Sequence, residues 1–448
     1  MASPFQSTDW VFITTSPSRQ KPTSAQRSQM RERVMREIGY ARRRVPRSQQ
    51  TSQECASGMP YLSLCRNLSS SLATQALLPS FIIDHLTLDA ESRWLLQHMF
   101  SNATPNQSSI YRDRWYPICR RNPAAFAQML ASYATHVAYD QPESNLQQFI
   151  LTSHTKALAG VLNCLRIPLI HDRQALHGTL SAVTALACYS HLMGDRLTWG
   201  LHITAISQLI KESGISPDEL EGSVMNLVQW VELIGCYAFD VTPTFGFGSI
   251  GTESFQRFCS HIEPLPPCMT NVNLPASLTS VVQTLRSVNA QLRQQITPNE
   301  SFWCNPVALD EVIHPLTYRV LSTSYNGDLS PLSPAVRSAA LLYLAEFRRK
   351  SGVSPVVTDI HMQRLRESLN VIDRAAVSPE MTMWLITVGA VEVKTPSDQC
   401  YFHSQLVKAF EDAGIDSFAL WKQQLNSIVW FDDLFDHILD RIWFACRV

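Results

Sequence analysis

From about Asp84 onward, apolar residues recur every three or four positions, a spacing that predicts one helix after another. Asn122-Pro123 opens one such stretch, in which Phe126, Leu130, Tyr133 and Val137 share a face. Ser216-Pro217-Asp218-Glu219 combines a capping hydroxyl, a proline at the first helical position and a glutamate three residues after the cap. A helix is therefore expected to start there. Ser333-Pro334 and Ser378-Pro379 repeat the cap-plus-proline pattern, and Gly194, Gly214 and Gly414 stand just past periodic stretches, as helix stops. Residues 239–275 and 297–331 gather most of the prolines and are expected to be long connections. No repeat of fixed period is visible. The expected fold class is all-α, with a large multi-helix body over residues 81–448.

Two segments precede that body. Residues 48–80 form a linker rich in Ser, Gln and Thr. Residues 1–47 hold a short segment, Trp10-Val11-Phe12-Ile13, that reads as extended, and then a basic arm. Residues 19–47 carry ten basic side chains against two acidic ones, a net +8. The whole chain has a formal charge of −1, which leaves −9 for the remainder. Met30, Val34, Ile38, Ala41 and Val45 recur at helical spacing between the basic flanks, so the arm is expected to be helical. It has three readings: a solvated face, a nuclear import signal, or a grip on nucleic-acid phosphates. The candidate residues are Arg31, Arg33, Arg36, Arg42, Arg43, Arg44 and Arg47. With no base-reading element beside them, their DNA contact is expected to be weak or indirect. The stripe has no Trp or Phe to insert into a bilayer, so no membrane partner is expected.

Composition narrows the function classes. The chain has 448 residues, 45% hydrophobic and only 17% charged, which excludes a mainly disordered protein. Its eleven cysteines form no Cys-x-x-Cys pair. No secretory leader is recognisable, so a reduced intracellular compartment is expected. Gly246-Phe247-Gly248-Ser249-Ile250-Gly251 matches a dinucleotide-loop spacing. It follows a helical stretch rather than a strand, so it reads as a connection. No histidine pair has metal-ligand spacing, and a single helical histidine such as His202 reads as packed. Cys188 and Cys236 sit in apolar helices and read as structural thiols. No nucleophile elbow or phosphate-binding lysine loop is present. Neither a catalytic residue nor a metal or cofactor is therefore expected.

Four blocks of the chain, taken together, resemble a known family. Residues 10–44, WVFITTSPSRQKPTSAQRSQMRERVMREIGYARRR, are similar to its opening, a short aromatic segment followed by a basic helix. Residues 111–139 are similar to its aromatic-Pro stretch and Ala-rich helix. Residues 198–245 resemble its central signature: a Trp/His helix, a Trp-bearing helix and an Asp-x-x-Pro-x-Phe exit. Residues 379–443 carry PE-MTMWLITVGA and IVWFDDLFDHILDRIW, similar to its C-terminal end. The family is the fungal-specific transcription-factor regulatory domain. The resemblance implies an all-α regulatory body, a nuclear location and a role in transcription. Full-length members also carry a six-cysteine, two-zinc module. Here only Cys55 and Cys65 lie in the first hundred residues, two ligands where six are needed. The chain is thus identified as a member without that DNA reader.

The expected partners are a second copy of the chain or another transcription regulator. The alternative function is a helical interaction or dimerisation scaffold with no direct transcriptional role. The acidic-aromatic C-terminus from Trp430 to Phe444 has two readings as well, an activation segment or a core helix. The spacing of Phe431, Leu434, Phe435, Ile438 and Ile442 suits the core helix.

Overall fold

A computed structural model describes residues 88–101, 110–141, 144–166, 173–215, 219–246, 264–265, 274–296, 312–323, 330–350 and 356–447. All of them lie within the larger of two units of the chain, Leu64–Val448. The basic arm, the linker and the extended segment near Trp10 lie outside the described residues.

Among the described residues there are fifteen α-helices and no strand. They are α1 (Ala90–Phe100), α2 (Tyr116–Cys119), α3 (Pro123–Asp140), α4 (Gln147–Cys164), α5 (Arg173–Leu192), α6 (Arg196–Ser213), α7 (Gly222–Phe239) and α8 (Ala276–Ile296). There follow α9 (His314–Ser322), α10 (Leu332–Lys350), α11 (Asp359–Val371), α12 (Pro379–Val391), α13 (Pro396–Ala413), α14 (Phe418–Ile428) and α15 (Asp432–Arg447).

Local chemistry explains most of the helix ends. Asn122 caps α3 by accepting from the amides of Ala124 and Ala125 at 2.9 and 3.0 Å. Ser378 accepts from the Met381 amide, with Pro379 in the first turn of α12. Gly214 and Gly414 close α6 and α13 at φ +66° and +63°, where a side chain would be strained. Other expectations need correction. At the start of α10 the cap is Ser330, whose hydroxyl accepts from the Leu332 amide. Ser333 and Pro334 fall in the first turn, where a missing N–H costs nothing because that donor has no intrahelical partner. The expected helix start at Ser216, Pro217 and Asp218 lies outside the described residues; after it, α7 begins at Gly222. Its entrance is fixed by Glu221, which accepts from Arg121 at 3.0 Å. The expected connection over 297–331 contains a helix, α9, because Val312, Ile313, Leu316, Val320 and Leu321 are all buried and Pro315 sits in its first turn.

Four helices form the centre. α5, α7, α10 and α12 are buried over most of their surface. α3 packs on α4 and α5; α5 packs on α6 and α7; α10 packs on α11 and α12; α12 also packs on α13 and α14. Close approach depends on two glycines. A Cβ on Gly235 would lie 2.1 Å from the Trp199 ring, and one on Gly389 would lie 2.1 Å from Phe402. The C-terminal aromatics belong to this core. Tyr343 of α10 is in ring contact with Trp384, Trp430 and Phe435. Phe431, Leu434, Phe435 and Ile442 are buried, as the core-helix reading of this segment expects.

Candidate functional site

The polar exceptions inside the apolar centre define the candidate site. α7 runs through mainly apolar residues and ends on Asp240, whose backbone is left-handed at φ +49°. Aspartate tolerates that conformation better than most residues, at a cost of about 1–2 kcal/mol. Its side chain is fully buried and meets two guanidinium groups. Arg337 of α10 donates at 2.5 Å, and Arg364 of α11 forms the second ion pair. Arg337 also donates to the Leu321 carbonyl of α9 at 3.3 Å. One carboxylate therefore ties together α7, α9, α10 and α11.

One turn earlier, Tyr237 repeats the pattern with neutral groups. Its hydroxyl donates to the Leu341 carbonyl at 2.9 Å, and its carbonyl accepts from His361 Nε2 at 2.7 Å. That bond requires His361 to carry its proton on Nε2, and burial holds its pKa down to about 4. Arg348 lies over the Tyr237 ring at 4.3 Å. Its neighbour Arg349 grips Glu392 with two hydrogen bonds, 2.6 and 2.7 Å, and pairs with Glu346. Glu392 is buried, so the α12 exit is locked to α10 by a matched charge pair.

The chain beyond Asp240 is held back against α7. Glu232 accepts from the amides of Thr244 and Phe245, the latter at 2.9 Å, and Gln229 donates to the Gly246 carbonyl at 2.7 Å. Burial raises the Glu232 carboxyl to about 7, although these bonds favour its charged form. Thr244 and Phe245 then form one wall of an open cleft of about 540 Å³ whose other wall is the α6 C-terminus, with Ile210, Lys211 and Ile215. The Asp-x-x-Pro-x-Phe exit is thus a strap: Asp240 anchors one end in the core, and the Phe245 amide anchors the other.

The chain matches the model of the fungal specific transcription factor domain over residues 95–421. It belongs to that family. No curated relative and no solved structure matched the chain. The match runs from α1 into α14 and contains every helix joined at Asp240 and Glu392. A fungal transcription factor domain is a regulatory rather than an enzyme family, and membership points to a role in transcription in the nucleus. Among the described residues no helix of the domain is long and apolar enough to cross a membrane.

The residues singled out from sequence fare differently. Arg31, Arg33, Arg36, Arg42, Arg43, Arg44 and Arg47 lie outside the described residues, as do Cys55 and Cys65. Gly246 follows a helix and a turn, with no strand before it among the described residues; the rest of its glycine motif lies outside them. Cys188 and Cys236 are buried, and burial pushes both thiols up, Cys188 to about 12, as suits structural roles. His202 is half-buried on α6 near His154. Sequence reasoning passed over Arg337, Arg348, Arg349, Arg364, His361 and Glu392. Arg337, and Glu232 which was passed over as well, carried a visible mark: they interrupt otherwise apolar runs, PAVRSAALL and LVQWVELIG, where a charge must be matched or costly.

Proposed function

We propose that this protein regulates transcription from the nucleus through its helical body, without a zinc cluster of its own. Residues 19–47 supply the nuclear address and a non-specific phosphate grip. The observation that carries this reading is the family match over residues 95–421 in a chain whose first 47 residues concentrate a +8 arm. Replacing Arg42, Arg43 and Arg44 by Ala is expected to abolish nuclear accumulation. DNA binding in vitro is expected to weaken equally on all sequences. The slope of log affinity against log salt should become shallower by up to about 0.9 for each phosphate that is no longer neutralised. A triple variant that stays nuclear and keeps the salt slope would leave the arm a solvated face.

One observation supports self-association as well. Leu151, Leu158, Leu162 and Leu165 lie along one face of α4 and its end, Met193 directly follows α5, and Leu197 and Leu201 lie in the first turns of α6. All seven are exposed, and α4 carries a single charged residue, Lys156. Both helices pack on α5, and His154 of α4 lies close enough to influence His202 of α6. Exposed apolar side chains in this number mark an interaction surface. A second copy is the occupant proposed for it, and this would serve a regulator and a scaffold alike. Leu162→Glu with Leu201→Glu is expected to convert a dimer to a monomer in sedimentation, with far-UV circular dichroism unchanged. A wild-type monomer at tens of micromolar would remove this part of the reading.

A further inference from the structure

Two arginines of α10 are buried, and among the described residues only one of them has a counter-charge. Arg337 meets Asp240. Arg348 is 3% exposed, yet its Nε and Nη1 have no hydrogen-bond acceptor. Its guanidinium lies over the neutral ring of Tyr237, 4.3 Å from the centroid. Among the described residues no carboxylate forms an ion pair with it, and Glu346 and Glu392 are engaged by Arg349. Arginine does not shed its proton in a protein, so this is a buried, unmatched positive charge. A charge left in that state is costly to hold.

The groups around Arg348 point the same way. His191 of α5 is 6% exposed and its Nδ1 has no partner. It lies close enough for the charges of Arg348 and His136 to disfavour its protonation. Its ring packs on Phe239, which in turn packs on Trp199, and the Trp199 indole N–H also has no acceptor. His136 is half-buried on α3. These imidazoles are neutral, so none of them supplies the negative charge that Arg348 lacks.

We propose that the buried Arg348 guanidinium, with the unpartnered His191 Nδ1 near it, is a binding site for a small oxyanion, a carboxylate or a phosphate. The planar fork suits such a group, because two parallel N–H bonds can meet two oxygens. Water could fill the hydrogen bonds but would leave the charge unmatched. The site is independent of whether the chain acts on transcription, since it is defined by binding alone.

Thermal unfolding of the full chain tests this, with inorganic phosphate and malonate titrated separately against chloride at constant ionic strength. Wild type is expected to show a saturable rise in Tm with at least one of them, about 4 °C at a hundredfold excess over Kd. A phosphate-only response marks a phosphorylated ligand, and a malonate-only response marks a carboxylate. Arg348→Met is expected to lose the response while remaining at least as stable as wild type in chloride, because an apolar replacement removes the unmatched charge. Arg348→Lys keeps the charge without the fork and should bind the active probe at least about tenfold more weakly. Absence of any response in wild type would overturn the proposal, as would an equal response in Arg348→Met. The wild-type titration decides the matter even if the methionine variant does not fold.

Discussion

Between pH 7 and pH 5 the protein is expected to lose about 3 kcal/mol of stability, and its Glu232→Gln variant about 6 kcal/mol. Three histidines, His191, His361 and His136, set the larger figure. Burial holds His191 down to about 3 and His361 down to about 4, against 6.5 for a free imidazole. Both are neutral in the folded protein, and both gain a proton on unfolding below pH 6.5. Their contribution is complete above that pH and falls away as the pH drops towards the folded values, by up to about 1.4 kcal/mol per pH unit for each. Half-buried His136, held down to about 4, acts in the same direction. Glu232 opposes them. Its folded value is raised from 4.5 to about 7, so its contribution is complete below 4.5 and is lost as the pH rises through 7. Acidification from pH 7 to 5 therefore regains about 2 kcal/mol at Glu232, and the glutamine removes that gain. Urea midpoints at pH 5, 6 and 7 for both proteins give the measurement. Parallel pH profiles would show that Glu232 is an ordinary carboxylate.

Asp240→Asn is expected to cost about 3–5 kcal/mol, the penalty for leaving a buried partner charge uncompensated. Asparagine keeps the left-handed backbone tolerable and changes little in volume, so the missing charge dominates. Arg337 is left behind with its side chain 6% exposed, whereas Arg364, at 39%, can turn towards water. Adding Arg337→Met should recover a large part of the loss, because it removes the stranded cation and leaves apolar volume in its place. Chemical unfolding of the two single variants and the double variant completes a cycle. A double variant whose loss equals the sum of the singles would mean that the two side chains do not depend on each other.

Many of the helices were readable because they repeat their apolar residues at a helical period and carry their own start or stop. Asn122-Pro123, Ser378-Pro379 and the glycines at 214 and 414 act within a few residues of themselves, so neighbouring sequence suffices to see them. α9 was hidden because Pro315 and the prolines flanking the helix resemble those of a loop until the burial of Val312, Leu316 and Val320 is known. The cap at Ser330 competes with an equally good pattern three residues later, and only the bond to Leu332 distinguishes them. The Asp240 hub was less legible still. Its partners lie 97 and 124 positions further along the chain, and spacing along a single helix says nothing about such pairs. What was visible was the family's exit motif. The strap supplies its physical reason: Asp240 turns the chain, and the Phe245 amide is caught by Glu232.

Chromatin occupancy of the tagged protein in its fungal host, with and without residues 19–47, tests the central claim most directly. The account predicts enrichment of the full chain at discrete genomic sites and a general loss of enrichment when the +8 arm is removed. A full chain that accumulates outside the nucleus, with occupancy no higher than an untagged control, would contradict it and leave the helical body a scaffold.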